Sequence, residues 1–480
     1  VPSALVNITR ADYAALLPAF VTACTPLVVL FVDLFFRRGG LVRRGVAVGI
    51  ALAGLIATGI LLAQQYPAPS YVAFGGMFVQ SGFEIVFGEI IVIATIATLL
   101  LSLGIGRDDQ VAGTTALVLW SASGALLMAG ANNLMLVFLG LELLSLALYC
   151  LCAMSARTSA RESALKYLIL SSMASGFLLY GSALLFGATG SVGFDAIVRA
   201  AGSPLLVLGG GLFLIGLAFK LSLVPFHVWT PDVYEGAPLP VTAFMSVVTK
   251  AGALAVFARF AYAALPADRA NAILVPFWIL AALSMLIGNL AALAQTDMKR
   301  LLAYSGIAQV GYIVTAFAGQ SVLGLRYAIF YLAAYTFMNL GAFAVVALLS
   351  KEGDAVVGLD RFAGLAYRRP WLAAAMTFFL LALAGLPPTA GFTGKILILA
   401  SSSAAGYAWL AGVLILGTAI SIYVYIKIVR AMFAHVDLKH VRDERSPNAL
   451  PWVAVAVCAV ATFGLGLYPL APSNILPLIK

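Results

Sequence analysis

Charge is what this sequence lacks. Of its 480 residues only 10% are Asp, Glu, Lys or Arg, where soluble domains carry about 25%. That shortage excludes a soluble enzyme of this size. Cysteine is scarce as well: Cys24, Cys150, Cys152 and Cys458 lie inside apolar runs without the paired spacing of a zinc or iron–sulfur site, so they read as packing residues. No HExxH, GxSxG, CxxC or Walker pattern occurs, and Gly209-Gly210-Gly211 reads as close helix packing rather than a phosphate cradle. The residues suggest no site for a flavin, haem, metal or nucleotide. The net charge of +9 is spread thinly between hydrophobic stretches, so no nucleic-acid partner is expected. No basic stretch or small-residue cleavage site precedes the first apolar run near Tyr13, so no removable signal peptide is read.

Apolar residues are abundant, at 63% of the chain. At about 20 per membrane-crossing helix, fourteen spans would use nearly all of them. The apolar runs place those spans at about 13–36, 45–65, 84–104, 110–130, 133–154, 161–187, 203–235, 238–263, 271–294, 301–319, 324–350, 370–403, 408–434 and 450–468. The expected fold is therefore an all-α polytopic membrane protein. Loops after odd-numbered spans hold seventeen Lys and Arg, including Arg37, Arg38, Arg43, Arg44, Arg107, Lys299, Arg300, Lys351, Lys439, Arg442 and Arg445. The opposite face holds five: Arg10, Arg199, Arg269, Arg326 and Lys480. By the positive-inside rule both termini face outward, to the periplasm of a bacterial cytoplasmic membrane. With no loop much beyond about twenty residues, chemistry has room only among the helices.

Two spans look broken. The seventh carries Pro225 and Pro231, and the twelfth carries Gly385-Leu386-Pro387-Pro388-Thr389-Ala390-Gly391. Proline removes a backbone donor and clashes with the preceding turn, and non-helical backbone at membrane depth survives only where protein or a hydrated cavity satisfies it. Interrupted spans in matching places of two halves point to an inverted-repeat transporter. The breaks are five spans apart, which divides the chain into residues 1–109 (spans one to three), 110–263 (a first five-helix repeat), 271–434 (an inverted second repeat) and 450–480 (span fourteen).

Few ionisable residues remain deep in spans: Glu142 in span five, Lys220 before the first break, Lys250 in span eight and Lys395 after the second break. Each costs at least about 2.5–3.5 kcal/mol at a helix centre. Desolvation lowers a lysine's proton affinity and a nearby carboxylate restores it, so a buried lysine with a switchable partner can take up and release a proton. Glu142 opposite Lys220 would be such a pair, with Lys250 and Lys395 as further stations. Lys166 and Lys427, near span ends, fit either a path or a snorkelling ion pair. His227, in the break itself, fits either a path or a satisfied core histidine. Glu84 and Glu89 in span three read as interfacial or interhelical partners.

The runs FKLSLVPFHVWTPDVYEGAPLPVTAFMSVVTKAGALAVFAR (219–259), LAQTDMKRLLAYSGIAQVGY (293–312) and LAGLPPTAGFTGK (383–395) resemble the antiporter-like membrane subunits of respiratory complex I, the NADH:quinone oxidoreductase. The resemblance covers most of the chain from span four to span thirteen and is strongest to the N-type subunit. It implies a lysine at the span-twelve position, where an M-type subunit would have glutamate, and an end soon after span fourteen, where an L-type subunit would continue. It further implies that Glu142, Lys220, Lys250 and Lys395 carry protons, with Lys166 as an accessory. NADH, FMN, iron–sulfur clusters and quinone would then belong to other subunits, and the partners would be M-type antiporter-like and small membrane subunits. The competing expectation is a subunit of a sodium/proton antiporter or a membrane-bound hydrogenase.

Overall fold

The computed structural model describes residues 8–36, 40–66, 69–105, 110–155, 157–199, 203–265, 267–350, 358–435 and 450–467. Arg37, Arg38, Arg107, Lys351, Lys439, Arg442, Arg445 and Lys480, all used in the charge tally, lie outside the described residues, as do both chain termini. The path is helical almost throughout. In order come α1 (Arg10–Asp33), α2 (Leu41–Gln65), α3 (Gly82–Ile105), α4 (Val111–Gly130), α5 (Leu134–Ala153), α6 (Thr158–Thr189) and the short α7 (Phe194–Val198). Then follow α8 (Pro204–Leu221), α9 (Trp229–Gly236), α10 (Leu239–Arg259), α11 (Ala267–Leu293), α12 (Met298–Thr315) and α13 (Val322–Leu349). The series closes with α14 (Leu365–Arg368), α15 (Pro370–Ala384), α16 (Ala390–Ala404), α17 (Ala408–Met432) and α18 (Leu450–Leu467).

Among the described residues, eleven helices are long and apolar enough to cross a membrane. The α12 helix is not one of them. It is buried along almost its whole length, and a helix with no lipid-facing side needs less apolar surface. The α10 helix is also wrapped completely by protein, with α3, α4, α5, α8 and α13 packed around it. An all-α expectation misses one element, the hairpin of β1 (Tyr71–Ala73) with β2 (Phe78–Gln80). Its turn uses Gly75 and Gly76 at φ 64° and 96°, which glycine adopts without steric cost. Two paired strands of three residues are too short for hydrophobic periodicity to register.

Small residues set the closest helix pairs. A Cβ on Gly288 of α11 would stand 2.9 Å from the Ala308 nitrogen and the Tyr304 oxygen of α12, and one on Gly209 of α8 would stand 2.9 Å from the Leu185 nitrogen of α6. The backbones meet there because no side chain intervenes. Large apolar side chains such as Phe20, Phe31, Trp371, Tyr423 and Val460 remain exposed on the outside, which suits a lipid-facing surface.

Both breaks appear where the prolines place them. Between α8 and α9, Ser222 takes a left-handed conformation at φ 60°, the Val224 nitrogen donates to Ser284 Oγ at 2.9 Å, and Trp229 Nε1 donates to the Phe219 oxygen at 3.0 Å. Between α15 and α16, Gly385 at φ 87° ends the helix and donates to the Leu381 and Ala382 oxygens. The peptide bonds Val224–Pro225 and Pro387–Pro388 are cis. Side chains thus satisfy backbone groups that the interrupted helices leave open.

Candidate functional site

Lys220 lies in the last turn of α8, 2% exposed, and its Nζ donates to Ser171 Oγ of α6 at 2.7 Å. The ammonium stands 5.1 Å from the centre of the Tyr167 ring and 5.9 Å from that of Tyr149, an arrangement that offsets part of its lost hydration. Glu142, on α5, accepts a hydrogen bond from Ser175 Oγ. Ser171 and Ser175 are four residues apart, so they share one face of α6 one turn apart. Glu142 and Lys220 thus each bond a serine on that face and feel each other electrostatically across it; no direct ion pair between them occurs among the described residues.

Lys250 sits at the middle of α10, 1% exposed, with Nζ 3.5 Å from the Tyr335 hydroxyl and 5.5 Å from the centre of that ring. A Cβ on Gly306 of α12 would lie 2.6 Å from this Nζ, so the glycine makes room for the ammonium. Lys395, 5% exposed, donates to the Ala384 and Leu383 oxygens at 2.9 and 3.2 Å and stands 4.6 Å from the Tyr312 ring centre. It is placed where the last carbonyls of α15 concentrate negative potential.

Polar side chains occupy the ground between these two lysines. Tyr331, one turn from Tyr335 on α13, donates to Gln309 Oε1. Gln309 Nε2 in turn donates at 3.0 Å to the Leu383 oxygen, the same atom that accepts from Lys395. Ser305 and Tyr425 join it through a 2.6 Å hydroxyl contact, with Tyr425 also 3.5 Å from Gln309 Nε2. Ser171, Ser175, Gln309, Tyr331 and Tyr335 escaped sequence reasoning because one neutral polar residue in an apolar helix is common. Their signal is position: each lies four residues, about one turn, from another polar residue on its helix.

The accessory candidates fall elsewhere. Lys166 keeps 46% of its side chain exposed and pairs with Glu162 at 2.8 Å and Asp232 at 3.4 Å. Asp232 and Glu235 also bind Arg300, each at 2.7 Å. His227 is half-buried, with its ring edge-on to Tyr304 and no partner for Nδ1 among the described residues. Lys427 is exposed and donates to the Leu293 oxygen at 2.9 Å. Glu84 is buried beside the similarly buried Arg259 of α10, whose guanidinium stands 5.2 Å from the Phe83 ring centre, an interhelical arrangement. Lys299 corrects the charge tally. Counted there as a loop residue, it lies fully buried in the first turn of α12, donating to the Ala237 oxygen at 2.9 Å. No group of three or more His, Cys, Asp or Glu able to hold a metal occurs among the described residues.

Known proteins resemble this chain in sequence and fold. Residues 131–421 match the family described as NADH:quinone oxidoreductase/Mrp antiporter, transmembrane. The chain is 42% identical over 477 residues to NADH-quinone oxidoreductase subunit N 1 of Symbiobacterium thermophilum, covering 96% of each. A chain of respiratory complex I from Thermus thermophilus with bound aureothin is 34% identical, with a TM-score of 0.82 over 96% of this chain and 99% of that one. A chain of the Mrp complex from Dietzia sp. DQ12-45-1b, 22% identical, has the same fold at a TM-score of 0.80 over 96% and 95% of the two chains. Family match and full-length identity agree with the three motifs and the two broken helices: the chain belongs to the NADH:quinone oxidoreductase/Mrp antiporter family of multi-pass membrane proteins, and within it to the antiporter-like N subunits of respiratory complex I.

Proposed function

We propose that this chain translocates protons in the membrane arm of an NADH:quinone oxidoreductase, through a relay of Glu142, Lys220, Lys250 and Lys395 driven by quinone reduction elsewhere in the complex. One observation carries the reading: each of the four meets an uncharged hydrogen-bonding group, and those groups form chains on α6 and on α12 with α13. A structural ion pair would put a carboxylate against each lysine. Here Lys220 meets a serine, Lys250 a tyrosine and Lys395 two carbonyls, partners that hold either protonation state. NADH, FMN, the iron–sulfur clusters and the quinone site belong to other subunits in this reading, and M-type and small membrane subunits are the neighbours. The subunit contributes to a translocase without a redox centre of its own.

The membrane arrangement that goes with it has fourteen spans in a bacterial cytoplasmic membrane, termini outward. Residues 110–263 and 271–434 are inverted repeats between the units 1–109 and 450–480. Helix occupies each of the fourteen segments read from the sequence. The close α4–α5 and α11–α12 pairs, and the two breaks, fall at corresponding places of the two repeats, which supports the repeat.

The test is made in the assembled complex. Lys220→Ala or Lys395→Ala is expected to lower NADH-driven proton pumping about tenfold or more, with electron transfer from NADH to a hydrophilic acceptor intact. Lys250→Arg keeps the charge but not the titration, and is expected to fail likewise. Normal pumping by Lys250→Arg would sink the titrating role of that residue. Co-purification with only other membrane subunits, or with a nickel–iron enzyme, would instead favour an antiporter or a hydrogenase.

A further inference from the structure

We propose that Lys299 is the inlet station of this relay, loading protons from the charged end of the bundle and passing them along buried polar groups to Lys250. The inference rests on the relay reading above. Lys299 is enclosed, yet its chain neighbour Arg300 belongs to the partly exposed network of Asp232, Glu235 and Lys166. A single peptide bond therefore separates a partly exposed charge cluster from a lysine in the protein interior. Ala237, whose oxygen accepts from Lys299, caps the C-terminus of α9.

The route inward is marked by polar atoms. Gly306, against which Lys250 Nζ packs, is seven residues from Lys299, two turns along one face of α12 and about 10.5 Å. On the two helices α9 and α13, which pack against α12, the Tyr234 hydroxyl and Asn339 Oδ1 are buried without a partner among the described residues. Tyr234 lies within electrostatic range of Cys152 and of Tyr335, the partner of Lys250; Cys152 lies within range of Lys299. Asn339 donates to Ser246, one turn before Lys250 on α10, and is itself one turn from Tyr335. Buried polar atoms of this kind are ordinarily satisfied by ordered water. The titratable groups that bear on Lys299 include Asp297 at the α12 N-cap and Cys152 from α5. A lysine that merely capped α9 would need no polar column behind it.

In the transfer, the Lys299 ammonium gives up a proton and becomes the amine, one proton arrives at the Lys250 amine, and Lys299 regains a proton from water at the charged end. Only N–H and O–H bonds change. The test uses the whole complex in sealed vesicles, with Lys299→Met, Lys299→Arg, Tyr234→Phe and, as reference, Lys250→Met. Lys299→Met is expected to assemble, to lower pumping about fivefold to tenfold and to raise the deuterium solvent isotope effect on turnover. Acid pH should recover part of its loss, because proton supply then limits. Lys299→Arg should not restore the rate, and Tyr234→Phe should show a smaller loss with the same isotope response. Wild-type pumping and isotope effect in Lys299→Met, beside a failed Lys250→Met, would overturn the inlet and leave the relay standing. Normal pumping by Lys250→Met would overturn the relay itself. If Lys299→Met does not assemble, an unaltered Tyr234→Phe rejects the passage and an altered one supports it.

Discussion

Ser171 and Ser175 stand where a direct Glu142–Lys220 pair was expected, and a hydroxyl is the better intermediary for a proton. It donates and accepts through one rotatable O–H, whereas a closed ion pair would fix the lysine charged. Ser171→Ala leaves a buried ammonium without its one described hydrogen bond, a loss of about 1–3 kcal/mol. Coupled quinone reduction in the assembled complex is expected to fall about tenfold, or about 1.4 kcal/mol in the barrier, with Ser175→Ala smaller. A double-mutant cycle between Ser171→Ala and Glu142→Gln should give a coupling energy well above zero; strict additivity would mean that the two serines do not connect the charges. The lysines were legible in the sequence because membrane depth makes a charge costly wherever it stands. Their partners were not, because a serine or tyrosine in a helix costs little and which residue it faces is decided by packing between distant segments.

At the level of elements, proline and glycine carry the legible information. Pro225 with Pro231, and the Pro387-Pro388 pair after Gly385, marked the two breaks because such clusters disfavour a continuous helix, and the chain breaks there, whereas the lone Pro276 stays inside α11. What the sequence did not disclose is how the open backbone is closed: Ser284 of α11 reaches the first break, and Gln309 of α12 with Lys395 reaches the second. Helix–helix contact is testable with glycines of opposite surroundings. Gly288→Val would press a side chain onto the α12 backbone and is expected to destabilise by about 1–3 kcal/mol, seen as a lower Tm and less assembled complex. Gly211→Ala meets nothing within 4 Å and should leave both unchanged or slightly improved, since alanine favours the helix by about 1 kcal/mol over glycine. Equal effects from the two substitutions would argue against backbone contact as what brings α11 and α12 together.

For the molecule as a whole, positive charge collects on one set of loops, and burial sharpens that signal. Lys299 was counted among the charges that orient the chain, yet it is enclosed. Removing it from the tally leaves sixteen against five, so the bias stands without it. Arg43, Arg300, Arg368 and Arg369 on the richer side hold ion pairs or backbone oxygens near helix ends, where a charge can be solvated and still resist translocation. Orientation is checked with single cysteines in a background whose four native cysteines are replaced. Ser159→Cys and Gln64→Cys are exposed at opposite ends of the bundle by the predicted topology. A membrane-impermeant maleimide added to right-side-out vesicles should label position 64 and spare position 159, with the pattern reversed in inverted vesicles. The opposite labelling would turn the proton path around, placing Lys299 and the Arg300 cluster at an outlet rather than an inlet. Labelling of both positions from one side would mean that the chain crosses the membrane an even number of times between them, not the three times that spans three, four and five require.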